Sequence, residues 1–236
     1  MSHFQPKFLI TNSIARDLTT IERARGFFQA ATLSDQWIAR MSERALLLEA
    51  YHSTHIEGTQ LTFEQSEILL AGGTVEGASP DDVRELLNYR DAFCMYCSGY
   101  DFKRLFTISE YYDRDRRAFY DAIQGVRDCG MDHTGWLEFF CHGLATQMAE
   151  AVERGTRAIK ADVMRMEFKL NERQLLAVEH LLAQQTLSIA EYEQICPGSN
   201  RRTLQRDLKR LVELGVIVES TSSPTDPNRG YRLKEL

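Results

Sequence analysis

Near its C-terminus the chain reads Ser199-Asn200-Arg201-Arg202-Thr203-Leu204-Gln205-Arg206-Asp207-Leu208-Lys209-Arg210-Leu211-Val212-Glu213-Leu214-Gly215. Leu204, Leu208 and Leu211 recur at intervals of four and three, which places them on one face of a helix that turns about 100° per residue. On the same wheel Arg202, Arg206 and Lys209 lie opposite, with Gln205 and Arg210 flanking them and Arg201 at the start. Ser199 predicts an N-cap for a helix over Asn200–Leu214, and Gly215 its stop. Residues 199–211 hold five basic side chains against one acid, Asp207. The helix is therefore amphipathic, with an apolar inner face and a cationic outer one.

The neighbouring segments give this helix its context. Asn171–Ala183 is amphipathic through Leu175, Leu176, Val178, Leu181 and Leu182, and Ile189–Ile195 forms a second, shorter helix. Cys196-Pro197-Gly198 is a tight turn. After the third helix, Val216–Glu219 reads as a strand and Tyr231-Arg232-Leu233 as its returning partner across a polar stretch from Ser220 to Gly230. Three helices and a hairpin, with a glycine-closed turn between the second and third helices, is the winged helix-turn-helix pattern. Its third helix fits a major groove, where Arg and Gln reach base edges and Lys and Arg neutralise phosphates. Ser199, Arg201, Arg202, Gln205, Arg206, Lys209 and Arg210, with Arg229 on the wing, are the candidate contacts to duplex DNA.

Charge sets this unit apart. The net charge is −6; from Phe168 to the end there are 10 Lys+Arg against 9 Asp+Glu, leaving 18 against 25 in the first 167 residues. An acidic body thus carries a roughly neutral tail whose cations gather on one helix. At 236 residues, 43% hydrophobic and 26% charged, the chain is globular. At roughly 150 residues per domain it has one or two domains, here read as 1–167 and 168–236. No apolar run approaches the ~20 residues of a membrane span, and Met1–Ile10 lacks the basic flank and long apolar stretch of a secretory signal. The expected location is the cytoplasm. The five cysteines, at 94, 97, 129, 141 and 196, include one CxxC, Cys94–Cys97, without a second pair. Together with Cys129/His133 and Cys141/His142 they do not make the four-ligand spacing of a zinc site, so no metal is assigned.

The first 167 residues read as successive helices. Ile14, Leu18 and Ile21 define one over Ile10–Arg25, and Trp37, Ile38, Met41, Ala45 and Leu48 define another over Leu33–Tyr51. Ser53–Gly58 follows as a short polar segment closed by glycine. Thr62 caps a helix that Gly72-Gly73 stops, and Ser79-Pro80-Asp81-Asp82 starts the next. A further helix begins after Thr107 or Ser109 and carries Tyr112, Arg116, Phe119, Tyr120 and Ile123. Trp136, Phe139, Phe140, Leu144 and Met148 form an apolar stripe expected to pack in the core, and Ala149–Glu167 a mixed-charge connecting helix. The fold class is mainly α: a helical bundle followed by a small α+β unit.

These residues resemble a known family. Phe8-Leu9-Ile10-Thr11 and His52-Ser53-Thr54-His55-Ile56-Glu57-Gly58-Thr59-Gln60-Leu61-Thr62 resemble the N-terminal part of Fic-family proteins. Ser53, Glu57 and Gly58 match that family's inhibitory motif, Ser or Thr, three residues, Glu, then Gly or Asn. Ser109–Ile123 resembles the helix that follows the family's catalytic loop, and Trp136, Phe139, Phe140 and Gly143 the helix after that. The resemblance runs in order along most of the chain and makes it a Fic-like helical bundle with a shortened core.

The resemblance implies protein adenylylation, the transfer of AMP from ATP to a protein hydroxyl with magnesium. In the family a His-x-Phe-x-(Asp/Glu)-Gly-Asn-Gly-Arg-x-x-Arg segment does the work, its histidine as general base, its acid on magnesium and its glycine loop on phosphates. No such string occurs here, and none of His3, His52, His55, His133, His142 and His180 precedes Gly-Asn-Gly. Cys94–Ile108 is too short to hold that motif together with its supporting helices, and Gly72-Gly73 lacks the following Lys-Ser or Lys-Thr of a phosphate loop. No catalytic residue and no cofactor is therefore assigned. The expectation is a catalytically silent Fic relative whose winged helix binds DNA in a regulatory role. The alternatives are an adenylyltransferase whose core motif is missing from this chain, and an interaction partner of an intact Fic enzyme or of a second copy, in which Glu57 meets an arginine in trans.

Overall fold

The computed structural model describes residues 6–95, 107–220 and 230–234, residues 91–95 by backbone alone. Two compact units divide between Glu153 and Arg154. No helix among the described residues is long and apolar enough to cross a membrane.

The first unit is helical: α1 (Asn12–Ala30), α2 (Asp35–Glu57), α3 (Phe63–Leu70), α4 (Pro80–Met95), α5 (Ser109–Arg114), α6 (Arg116–Asp128) and the start of α7 (Thr134–Phe168). Thr11, Ser34 and Thr62 cap α1, α2 and α3 with their hydroxyls, and Gln65 completes a capping box with Thr62. α2 is central, packing against α3, α4 and α5. Ala50, Leu61, Leu69 and Leu86 form a buried cluster where α2, α3 and α4 meet. Ahead of α1 the chain lies beside the loop before α7. The His133 N–H donates to the Lys7 carbonyl at 2.8 Å and the Leu9 N–H to the Thr134 hydroxyl at 2.9 Å.

Three expectations change here. α2 runs on through Glu57, so Ser53–Glu57 is not a loop but its last two turns. Gly58 takes φ 115° to end it, with its N–H shared by the Thr54 and His55 carbonyls. The single helix expected after Thr107 is two, because Asp115 leaves helical geometry (φ −138°, ψ 75°) and its carboxylate caps α6 through the Ala118 N–H. The apolar stripe divides as well: Met148 is fully buried, whereas Trp136, Phe139, Phe140 and Leu144 are only half-buried. Those aromatics stack on one another and on Tyr112 and Phe119. Gly143 is fixed by Tyr111, whose ring would lie 2.6 Å from an added Cβ.

The second unit contains the end of α7, then α8 (Glu172–Gln184), β1 (Leu187–Ser188), α9 (Ile189–Ile195), α10 (Arg201–Glu213), β2 (Ile217–Glu219) and β3 (Gly230–Leu233). The strands form an antiparallel sheet in the order β1-β3-β2, with Leu187 opposite Tyr231 and Val218 opposite Arg232. Three helices and this sheet are the layout the C-terminal sequence predicts, with an extra strand ahead of α9. The two-residue β1 is too short to carry a strand period. Leu204, Leu208 and Leu211 of α10 are fully buried with Val178, Leu181, Leu187, Tyr192 and Ile217. Ala161, Met164 and Phe168 of α7 belong to this same core, so the units divide inside α7, while the expected boundary at 167/168 falls at its end.

Within this core the Tyr192 hydroxyl is fully buried without a hydrogen-bond partner, and burial pushes its pKa well above the ordinary value. An unpaired buried hydroxyl costs about 1–3 kcal/mol. Tyr192→Phe is therefore expected to raise stability by about 1 kcal/mol in urea unfolding, whereas Leu208→Ala is expected to lower it by about 2–5 kcal/mol.

Candidate functional site

The structure holds two candidate sites, one at the C-terminal end of α2 and one on α10. In the first, the Ser53 and Ser109 hydroxyls share a hydrogen bond of 2.7 Å, and Ser109 donates onward to Glu49 Oε1 at 2.6 Å. Glu49 is 7% exposed and also accepts from the Ser109 N–H, the Tyr89 hydroxyl and the Thr107 hydroxyl. Ser53 is thus committed to a buried hydroxyl–carboxylate network that ties α2 to the start of α5. Glu57, four residues on, is exposed and faces another acid, Glu85 of α4. Partial burial, a hydrogen bond from Glu57, and the charges of Glu57 and Asp82 push the Glu85 carboxyl up. Ser53, Glu57 and Gly58 therefore share one helix end, but the first is engaged in packing while Glu57 and Gly58 are exposed to solvent.

Beside this network lies a cluster the sequence reading did not assemble. Asp113 of α5 has 8% of its side chain exposed, and His52, His55 and Arg116 converge on it. His52 Nδ1 lies 2.7 Å and His55 Nδ1 2.9 Å from Oδ2, and Arg116 Nε lies 2.7 Å from Oδ1. Arg116 also donates to the His55 carbonyl, among the last carbonyls of α2, where a cation complements the helix dipole. The Tyr51 ring stacks on His55 with centroids 5.3 Å apart and planes 12° from parallel. Burial pushes the Asp113 carboxyl up, but hydrogen bonds from His52, Arg116 and His55 outweigh it and hold the group at about 2. His52 and His55, three apart, share a helix face; that spacing was the available signal. Their acid lies about sixty residues away, and no local pattern announces it. Both oxygens of Asp113 are engaged, so the cluster locks α2 to α5 and α6.

On α10 every predicted helical contact reaches solvent: Arg201, Arg202, Gln205, Arg206, Lys209 and Arg210 are exposed. Asp207, the one acid in the segment, turns inward. It is 6% exposed, and Arg173 of α8 holds it through Nε at 2.7 Å, with Asn171 Nδ2 at 3.4 Å. Arg201 pairs with Glu193 at 3.0 Å and Arg210 lies 3.8 Å from Glu213, whereas among the described residues Arg202, Arg206 and Lys209 make no ion pair. Ser199 is not the cap. Asn200 is, its side chain accepting the Thr203 N–H at 2.9 Å, while Ser199 sits in the preceding turn with its N–H on the Cys196 carbonyl. Asn is as good a cap as Ser, and register decides between adjacent candidates. Arg229 lies outside the described residues, as do Cys97 and the Cys94 side chain. Cys129, Cys141 and Cys196 are free thiols. Among the described residues no group of three or more His, Cys, Asp or Glu is placed to hold a metal ion.

Residues 31–95, which contain α2, α3 and α4, match the family described as Fic/DOC family N-terminal. Over this region the chain is similar to the N-terminal part of that family. A solved structure of a Fic family protein from Desulfovibrio desulfuricans G20 is similar over 98% of each chain, with 15% sequence identity and a TM-score of 0.54. At that identity the likeness speaks for the fold. No curated protein matches the chain by sequence. The matched region thus contributes His52, Ser53, His55 and Glu57, while Ser109, Asp113 and Arg116, which join the first three, come from beyond it.

The depressed Asp113 carboxyl makes stability depend on pH. A group whose folded pKa lies below its unfolded value contributes stability above the unfolded pKa, near 3.8, and loses it as pH falls through about 2. The stability difference between the native chain and Asp113→Asn, measured by thermal unfolding, is expected to be level above pH 4, of order 1–2 kcal/mol, and to shrink between pH 4 and 2.

Proposed function

We propose that this Fic-family chain is a catalytically silent, cytoplasmic regulator that binds duplex DNA through α10. One observation carries the reading: Arg202, Arg206 and Lys209 share an exposed face from which the one neighbouring acid, Asp207, is withdrawn onto Arg173. A surface helix of an acidic protein ordinarily mixes charges. Here the outward side chains from Arg201 to Arg210 are cationic or neutral polar, with Glu213 at the C-terminal end beside Arg210, which suits a polyanion whose phosphates recur along the groove. In this reading the unit of residues 154–236 is a winged helix with α9 and α10 as its helix-turn-helix. Gln205 and Arg206 reach base edges, and Arg202, Lys209 and Arg210 take phosphates. Arg201, tied to Glu193, orients the start of the helix, and Arg229 would extend the contact along the wing.

Catalytic silence rests on the sequence, which contains no His-x-Phe-x-(Asp/Glu)-Gly-Asn-Gly-Arg string. The residues gathered at the end of α2 do not fit ATP and magnesium either. Asp113 is filled by His52, His55 and Arg116, and among the described residues no glycine loop borders them. Pure protein incubated with labelled ATP and magnesium is expected to transfer no label to itself or to a cell extract; transfer would restore the adenylyltransferase alternative.

A second reading has its own observation. Glu57 stands exposed beside Glu85, and two carboxyls that repel each other are an acceptor for a guanidinium offered by a partner chain. An intact Fic enzyme supplying that arginine is the partner this reading names, and co-purification sensitive to Glu57→Gln would support it.

The DNA reading is checked by fluorescence anisotropy on a labelled duplex across salt concentrations. The log–log salt slope is expected at about −0.9 per phosphate neutralised. Replacing Arg202, Arg206 and Lys209 with Ala is expected to abolish binding near physiological salt while leaving helicity unchanged. Unaltered binding by the triple variant, or none by the native chain at low salt, would sink the reading.

A further inference from the structure

A cavity of about 490 Å³ opens on the first unit between the N-terminal segment, α6 and the start of α7. Leu9, Ala122, Val126 and Trp136 form its apolar wall, and Asp121 and Asp132 stand at it as carboxylates. Cys129 and Thr134 also line it, as do two glycines, Gly125 inside α6 and Gly135 in the first turn of α7. Both lie in helices, where glycine is less favourable than alanine. Neither has a positive φ, and an added Cβ at either would meet nothing within 4 Å. Backbone geometry and crowding by this chain therefore require glycine at neither position. What the two positions share is the cavity, which any larger side chain would begin to fill. Its volume lies within the range of small-molecule sites, and its walls stay open because α6 buries none of its residues and Trp136 is only half-buried.

The polar groups give the occupant a sign. The Thr134 N–H and hydroxyl hold Asp132 Oδ1 at 3.0 and 2.6 Å, and these hydrogen bonds, the hydroxyl's first, hold the carboxyl below its ordinary pKa. Asp132 Oδ2 points instead to Lys7 Nζ at 3.4 Å, and the Lys7 side chain is 70% exposed. The chain's own flexible ammonium thus stands where an external cation would. The second carboxylate, Asp121, lies 3.6 Å from Arg117, with both side chains largely in solvent.

We propose that this cavity binds a small molecule with an apolar, ring-sized body and an ammonium head. The body lies against Trp136 and Val126 over Gly125 and Gly135, and the head displaces Lys7 from Asp132. The site lies in the first unit and does not depend on the DNA reading.

Three probes share one body and differ in charge: phenethylamine, 2-phenylethanol and phenylacetate. Saturation-transfer NMR titrations with the full chain at low salt are expected to show saturable binding of phenethylamine. Its affinity should exceed that of the neutral alcohol by about fivefold, the scale of a partly exposed ion pair, and that of phenylacetate by more. Asp132→Asn is expected to bring phenethylamine down to the level of the alcohol. Gly125→Leu is expected to fold with unchanged or higher thermal stability, because leucine is the better helix former, and to lose all three probes. Equal binding of the three, no saturable binding by any, or undiminished phenethylamine binding to a folded Gly125→Leu chain would overturn the proposal. So would self-association of the native chain that Gly125→Leu abolishes, since a second copy would then be the occupant.

Discussion

Asp113 and Asp207 are each almost withdrawn from water, and the cost of desolvating a carboxylate obliges each to collect donors from neighbouring elements. Asp113 takes them from two histidines on α2 and from Arg116 at the start of α6. Asp207 takes them from Arg173 and Asn171 at the start of α8. In the first unit this requirement fixes the end of α2, and with it the direction in which Glu57 leaves the helix. In the second it withdraws Asp207 from among the exposed cations Arg202, Arg206 and Lys209, leaving Glu213 as the acid at the end of α10. Breaking either contact would leave an uncompensated charge in the interior, so the arrangement of these surface charges depends on charges that are not on the surface.

The likeness to the Fic/DOC family N-terminal region falls on helices that share one buried cluster. The matched region, residues 31–95, spans α2, α3 and α4, whose shared cluster of Ala50, Leu61, Leu69 and Leu86 is small and closed. Ser53–Gly58 lies within it as a helix end whose serine is held in a hydrogen-bond network. Ser53 meets Ser109 and, through it, the buried Glu49, an arrangement that needs only the hydroxyl and no nucleotide. Glu57 is free of that network and meets another carboxyl. One short helix end thus places one residue in packing and exposes another.

Much of this was legible because it is local. The leucine spacing of 204, 208 and 211 set the inner face of α10, and the basic residues between them the outer one. Capping residues such as Thr62 and turn residues such as Gly215 marked helix ends to within a few positions. Where the reading slipped, a neighbouring residue of similar capacity competed: Asn200 took the cap from Ser199, and Asp115 broke a helix that periodicity alone would continue. The half-buried aromatics were misjudged for a different reason. A stripe of Trp136, Phe139 and Phe140 shows that a face seeks apolar company, but not how completely other elements cover it.

The sequence by itself determined which faces are apolar, which helix concentrates positive charge, and that the glycine-rich catalytic string of the Fic family is missing, because each is a property of spacing or of residue identity. Only the tertiary structure decided that Asp207 faces Arg173, that Asp113 gathers His52, His55 and Arg116, and that Gly125 and Gly135 open onto one cavity. Each of these joins residues from different helices. The energy that selects such a contact is the cost of leaving a charge or a polar group unpaired once the chain is compact, and that cost does not exist until the helices have met.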